Sequence, residues 1–112
     1  MKVALVPSLL QQMQVIERRI TVILRASIEK GDHTKSQQKH IATVRLACSE
    51  LKLDIRDYEY AETMAEQQKW SKIAKHNILA LHTSLMALDT IFSAVDIAEL
   101  SAKIELLQSE LQ

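Results

Sequence analysis

Residues 41–58, which read IATVRLACSELKLDIRDY, decide the fold. Apolar side chains recur in this stretch at alternating steps of three and four residues, at Ile41, Val44, Cys48, Leu51, Ile55 and Tyr58. This spacing puts one apolar side chain on each turn of an α-helix, with the heptad period of helices that pack side by side. The stretch is therefore predicted to be a long helix whose apolar stripe, or seam, is covered by other helices.

Three further stretches of the chain carry the same alternating pattern. Their apolar positions are Leu9, Met13, Ile16, Ile20 and Ile23; Ala74, Ile78, Leu81, Leu85, Leu88 and Phe92; and Ile97, Leu100, Ile104, Leu107 and Leu111. Gly31 and Pro7 are the only glycine and proline in the chain, whereas folds built on strands use these residues at many tight turns. The sequence predicts one all-α domain over residues 1–112, either a three- or four-helix bundle or a long antiparallel helical hairpin, with coiled-coil-like heptad packing.

Capping residues mark the predicted starts of the first two helices. Ser8 followed by Gln11, and Thr34 followed by Gln37, match the capping-box pattern, in which each side chain bonds to the other residue's backbone N–H. Gly31 is predicted to stop the first helix, because glycine tolerates the positive φ common just after a helix end.

The predicted helices cover about residues 8–30, 34–67, 70–92 and 96–111. The second seam continues through Ala61 and Ala65 until the polar residues 66–69 interrupt it. The helix either breaks or bends there, or it runs straight through with one solvated turn. A break is favoured, because an unbroken helix over residues 34–92 would be about 88 Å long at about 1.5 Å per residue. Asp96 is predicted to cap the last helix.

No motif for catalysis, a metal or a cofactor is present. His33, His40, His76 and His82 lack the spacing of a helical metal pair. Cys48 is the single cysteine, so it has no intrachain disulfide partner, and its seam position predicts a buried, unreactive thiol. Because the chain has zero formal net charge and no apolar run of transmembrane length, no membrane partner is expected. We expect a cytoplasmic protein that is not an enzyme.

Protein–protein interaction is the function that this pattern favours. The predicted helices are unequal in length, so part of the long seam of the second helix would stay uncovered within one chain, and a second copy is the simplest cover. We therefore expect a module that associates with itself, most simply as a homodimer, with another protein, or with both, in an adaptor, accessory or small chaperone-like role. The candidate residues are Ile41, Val44, Leu51, Ile55 and Tyr58, and Trp70, which either anchors a partner or closes the end of the core.

A stripe of charge suggests how two copies could be oriented. Glu59, Glu62, Glu66 and Lys69 would lie on one face if a single helix carried them all. An antiparallel pair centred near residues 67–68 would then place acidic residues of one copy against lysines of the other. The alternative is a solvated face whose charges only keep the protein in solution.

Nucleic-acid binding is the second functional hypothesis. Residues 1–45 hold eight Lys and Arg against three Asp and Glu. A basic face of this kind can track phosphates, although no aromatic stacking platform or helix-turn-helix accompanies it. The candidate contacts are Arg18, Arg19, Arg25, Lys35 and Lys39.

Overall fold

The computed structural model describes residues 8–111 and contains four α-helices in that range. They are α1 (Leu9–Lys30), α2 (Lys35–Glu59), α3 (Met64–Ala87) and α4 (Ala94–Glu110). The described residues contain no strand, and the helices pack on one another around one core. The predicted all-α fold is confirmed, in its four-helix form.

The helices form a ring in which each contacts the two helices next to it. α2 and α3 share the most extensive contact, α1 packs on α2 and α4, and α4 packs on α3. Short connections make consecutive helices antiparallel. The ring closes where the Gln12 side-chain amide near the start of α1 donates to the Glu110 carboxylate at the end of α4, at 2.6 Å. The Lys52 ammonium lies 2.9 Å from the Glu17 carboxylate and ties α2 to α1.

The four predicted seams meet in a single hydrophobic core. The whole α3 stripe is buried, and so is Phe92 in the connection that follows it. Ile23 and Ile97 are half-buried at the edge of the core. Alternating spacing therefore identified the inward face of every helix, because side chains three and four residues apart lie on one face.

The starts of α1 and α2 have the predicted capping boxes. At α1, the Ser8 backbone N–H donates to the Gln11 side chain at 3.0 Å, and the Gln11 N–H donates to the Ser8 hydroxyl at 3.1 Å. Thr34 and Gln37 make the same pair of bonds at 2.8 and 3.1 Å. Gly31 ends α1 with φ 93° and ψ −150°, a conformation that residues with a Cβ rarely adopt.

The predicted boundary between the second and third helices is wrong. α2 ends at Glu59 rather than near residue 67, and Ala61 lies in the connection instead of on the seam. Ala65 belongs to α3 and is exposed. The cause is Thr63, whose hydroxyl accepts the Glu66 backbone N–H at 3.1 Å and begins a new helix.

The junction before the last helix also differs from the prediction. α3 ends at Ala87 rather than near residue 92, and Ser93, not Asp96, is the N-cap of α4. The Ser93 hydroxyl accepts the Asp96 backbone N–H at 3.1 Å, which makes Asp96 the third residue of the helix. The Asp96 carboxylate lies 3.0 Å from the Arg19 guanidinium. Although partial desolvation opposes it, hydrogen bonds to the Asp96 carboxylate from the Ser93 hydroxyl, the Arg19 guanidinium and the Ser93 backbone N–H lower the pKa of Asp96.

Candidate interaction surface

The residues predicted as the self-association seam lie inside the chain's own core. Val44, Leu51 and Ile55 are fully buried, and Ile41 and Tyr58 are buried with at most 7% of their surface exposed. Trp70 is half-buried against the same core, with the Lys69 ammonium 5.1 Å from its ring centre.

A second copy is therefore not needed to cover this seam. Only a second helix that reached residue 67 would have been longer than its neighbours. With the break at residues 60–63, α2 and α3 have 25 and 24 residues and cover each other. The α2 seam is not exposed, so any self-association of the folded bundle has to use another surface.

The predicted charge stripe is also divided by this break. Glu59 is the last residue of α2, Glu62 lies in the connection, and Glu66 and Lys69 belong to α3. The four residues therefore do not share one helix face. The proposed antiparallel pairing centred near residues 67–68 loses the geometry on which it depended.

A second heptad stripe runs along the side of α2 that faces away from the core. Its members are spaced by alternating steps of four and three, all are exposed, and we call them the outer face: Lys35, Lys39, Ala42, Leu46, Ser49, Leu53, Arg56 and Tyr60. Leu46, Leu53 and Tyr60 are 60%, 51% and 77% exposed. Large apolar side chains at heptad spacing on an exposed helix face are typical of a surface that another helix covers.

Charged side chains lie on or beside both ends of the outer face. Lys35 and Lys39 lie on it in the first two turns of α2, whereas the last turn holds Arg56 on the face and Asp57 and Glu59 beside it. Among residues 8–111 none of these five side chains makes an ion pair. Arg56 suits the helix dipole, which favours basic side chains at the end of a helix, whereas the other four oppose it.

Other exposed apolar side chains are scattered over the remaining helices. Val15 and Val22 lie on α1, Leu79 on α3 and Leu106 on α4. Val15 and Leu106, with Gln12 and Lys103, line a shallow, mainly apolar groove between α1 and α4.

The candidate nucleic-acid contacts are all on the surface but differ in their partners. Arg19 is held by Asp96, whereas Arg18, Arg25, Lys35 and Lys39 make no ion pair within residues 8–111. Arg25, Lys35 and Lys39 lie near the connection between α1 and α2 and so at one end of the bundle. Phosphate contacts at these residues stay a prediction.

Two histidines contact serine hydroxyls, a pairing that sequence spacing did not suggest. His82 Nε2 lies 3.0 Å from the Ser101 hydroxyl, across the α3–α4 contact. His33 Nε2 lies 2.8 Å from the Ser27 hydroxyl beside the first connection. A serine nucleophile needs a histidine whose second ring nitrogen is oriented by an acid or another acceptor. Within the described residues neither histidine has such a partner; the His82 bond joins α3 to α4, and the His33 bond joins the first connection to α1.

Cys48 is buried where α2 faces α1. Its thiol lines a cleft that also contains Glu17 and Arg45. Burial, with a smaller contribution from Glu17, raises the pKa of the Cys48 thiol to about 12. Because the thiolate is the reactive form of cysteine, the thiol is unreactive at neutral pH, in agreement with its seam position.

A buried carboxylate lies between α2 and α3, one residue before the seam position Ile55. Asp54 is 7% exposed, and its carboxylate accepts a hydrogen bond from the Asn77 side-chain amide at 2.7 Å. Burial raises the pKa of Asp54, and the nearby carboxylates of Glu50 and Asp57 raise it further, although the bond from Asn77 opposes this. One polar pair inside an apolar helix contact specifies which residues face each other.

Residues 8–111 contain no group of three or more His, Cys, Asp or Glu side chains placed to hold a metal ion. No helix of this part of the chain has both the length and the apolar character needed to cross a bilayer.

Comparison with known proteins found no matching family model, no similar curated protein and no similar solved structure.

Proposed function

We propose that this chain is a non-enzymatic protein–protein interaction module that associates with itself, in the manner of an adaptor, accessory or small chaperone-like protein of the cytoplasm. The observation that carries the proposal is the outer face of α2, where three large apolar side chains lie exposed at heptad positions. Fully burying a leucine side chain is worth about 1.5–3 kcal/mol, so covering the exposed half of Leu46 and of Leu53 with a partner would contribute roughly half of that at each position.

Sedimentation velocity over a range of concentrations tests the self-association. We expect the weight-average mass to rise from that of a 12.7-kDa monomer towards twice that value as concentration increases. A chain that stays monomeric into the high micromolar range contradicts self-association. Because transient interfaces commonly bind in the micromolar range, the series should extend that far.

Nucleic-acid binding is the second candidate, supported by the basic side chains without ion pairs near the α1–α2 connection. Fluorescence anisotropy with a labelled duplex and a labelled single strand, at two salt concentrations, tests it. Phosphate contacts predict binding that weakens steeply with salt. The double variant Arg25→Glu, Lys35→Glu should then lose binding, whereas Lys103→Glu in the middle of α4 should not. Salt-independent or absent binding rules this candidate out.

A further inference from the structure

We infer that Asp54 and Asn77 form a proton-responsive contact, in which uptake of a proton by the Asp54 carboxylate tightens the packing of α2 on α3. The inference concerns how the bundle is held together, so it does not rest on the proposed self-association. It is carried by the burial of the carboxylate, the charges around it and the amide that faces it from α3.

Asp54 lies where a negative charge is unfavourable. Its side chain is 7% exposed, and the seam residues of α2 on either side of it, Leu51 and Ile55, are fully buried. The contact between α2 and α3 in which it lies is the most extensive helix–helix contact of residues 8–111. A carboxylate in such a place has lost most of its hydration, which favours the neutral acid over the ion.

The basic residues of α2 nearest to Asp54 do not neutralise it. The Lys52 ammonium lies 2.9 Å from the Glu17 carboxylate on α1, and Arg56 is exposed as a member of the outer face. Within the described residues Asp54 makes no ion pair. Hydrogen bonding, rather than a neighbouring cation, therefore has to offset its charge.

Two other carboxylates of α2 act against ionisation of Asp54. Glu50 precedes it by four residues and Asp57 follows it by three, spacings that bring side chains together on a helix surface. Burial raises the pKa of Asp54 most, and the negative charges of Glu50 and Asp57 raise it further, against the opposing effect of the Asn77 bond. Release of the Asp54 proton therefore adds a third negative charge to this side of α2.

The group that faces Asp54 from α3 can bind the protonated acid through two hydrogen bonds. The Asn77 side-chain amide donates to the Asp54 carboxylate at 2.7 Å. An amide also carries a carbonyl acceptor, whereas an ionised carboxylate can only accept. Once protonated, Asp54 can donate its O–H to the Asn77 carbonyl oxygen as well. Lys75 and His76, the charged residues just before Asn77 on α3, make no ion pair with Asp54.

Proton uptake therefore stabilises the folded chain more than the unfolded one. It removes a buried charge, ends the repulsion from Glu50 and Asp57, and adds a hydrogen bond between α2 and α3. In the unfolded chain the Asp54 carboxyl has its ordinary pKa. As the pH falls through the raised folded-state pKa, the folded chain binds a proton that the unfolded chain does not, so the free energy of unfolding increases. Below the ordinary pKa both states are protonated and the gain is complete.

A carboxyl-carbon titration of ¹³C-labelled wild-type protein measures proton uptake by Asp54 directly. We expect its midpoint above the ordinary aspartate value of about 3.9. The double variant Glu50→Gln, Asp57→Asn should bring the midpoint down towards that value, because two negative charges are removed. Asp89→Asn, at an exposed aspartate after α3, should leave it unchanged. An Asp54 midpoint at or below the ordinary value overturns the inference.

The same titration reports whether Asn77 responds to the proton. The signals of its side-chain amide should shift with the midpoint of the Asp54 carboxyl carbon, because the second hydrogen bond forms when Asp54 is protonated. Asn77 signals that stay in place through the Asp54 midpoint contradict the pairing.

Urea denaturation over a range of pH tests the consequence for the fold. On acidification from pH 7, the unfolding equilibrium constant of the wild-type chain should fall by about tenfold for each unit by which the folded-state pKa of Asp54 exceeds the ordinary one. Asp54→Asn should lack this contribution, whereas the control Asp89→Asn should keep it. Equal pH dependence in wild type and Asp54→Asn overturns the inference. The carboxyl titration uses the wild-type chain, so it is decisive even if Asp54→Asn does not fold.

Discussion

The assignment of two faces to α2 predicts opposite consequences for two leucines that are two residues apart. Leu51 is fully buried in the core, whereas Leu53 is 51% exposed on the outer face. The same substitution, Leu→Ala, at each position removes the same atoms from the same helix. Any difference in the free energy of unfolding therefore reports burial alone, without a change in helix propensity.

The expected losses follow from the burial of each side chain. Leu51→Ala removes three carbon groups from the core, worth about 2.4 kcal/mol in transfer from water. The cavity that remains between packed helices adds to this, so a total of about 3–5 kcal/mol is expected. Leu53→Ala loses roughly half of the transfer contribution and leaves no enclosed cavity, so the expected loss is about 1 kcal/mol.

Urea denaturation followed by circular dichroism at about 222 nm, the wavelength of the helix signal, measures both losses. The shift of the urea midpoint, multiplied by an unchanged m-value of roughly 1–3 kcal/mol/M, gives the change in the free energy of unfolding. The measurement should be made at two protein concentrations. If copies pair through the outer face, the loss of stability caused by Leu53→Ala should grow with protein concentration. The loss caused by Leu51→Ala arises inside one chain and should not depend on concentration.

Equal losses at the two positions would refute this reasoning, because they would mean that both leucines are buried to the same extent. A larger loss at Leu53 in dilute protein would show that the two faces of α2 have been exchanged.

Three further predictions concern the helix ends and the buried carboxylate. Thr63→Ala should lower the free energy of unfolding by about 1 kcal/mol, whereas Thr63→Ser, which keeps the capping hydroxyl, should cost much less; equal effects would argue against the cap at α3. Gly31→Ala should cost about 1–3 kcal/mol through backbone strain alone, because nothing lies within 4 Å of the added Cβ, and an unchanged thermal midpoint would contradict the positive φ. Asp54→Asn should raise the melting temperature at pH 7: burial raises the folded-state pKa, so ionisation of Asp54 lowers stability as pH rises from the ordinary carboxyl value through the raised one. The advantage of the amide should shrink as the pH falls below the ordinary carboxyl pKa, and a variant less stable than wild type at pH 7 would show that the carboxylate is favourable.

The inward faces of the helices could be predicted from sequence because burial is periodic. Each seam repeats over at least four turns, so one misassigned residue does not change the face. Helix ends depend instead on single side chains. The Thr63–Glu66 pair matches the same capping pattern that identified Thr34, but the alanines around it extended the apparent seam past the true end of α2.

The candidate surface could not be predicted from spacing alone. Leu46 and Leu53 lie off the predicted seam, and only the packed structure shows that each of them is more than half exposed. The pairing of Asp54 with Asn77 was missed for a related reason, because partners on different helices depend on the register between those helices.

The most direct test of the central claim is a concentration series of ¹⁵N–¹H correlation spectra of the wild-type chain. If two copies pair through the outer face, amide signals of Leu46, Ser49 and Leu53 should shift with concentration, and those of α4 should stay in place. Shifts confined to α1 and α4, or no shift in a chain that sedimentation shows to dimerise, would contradict the claim.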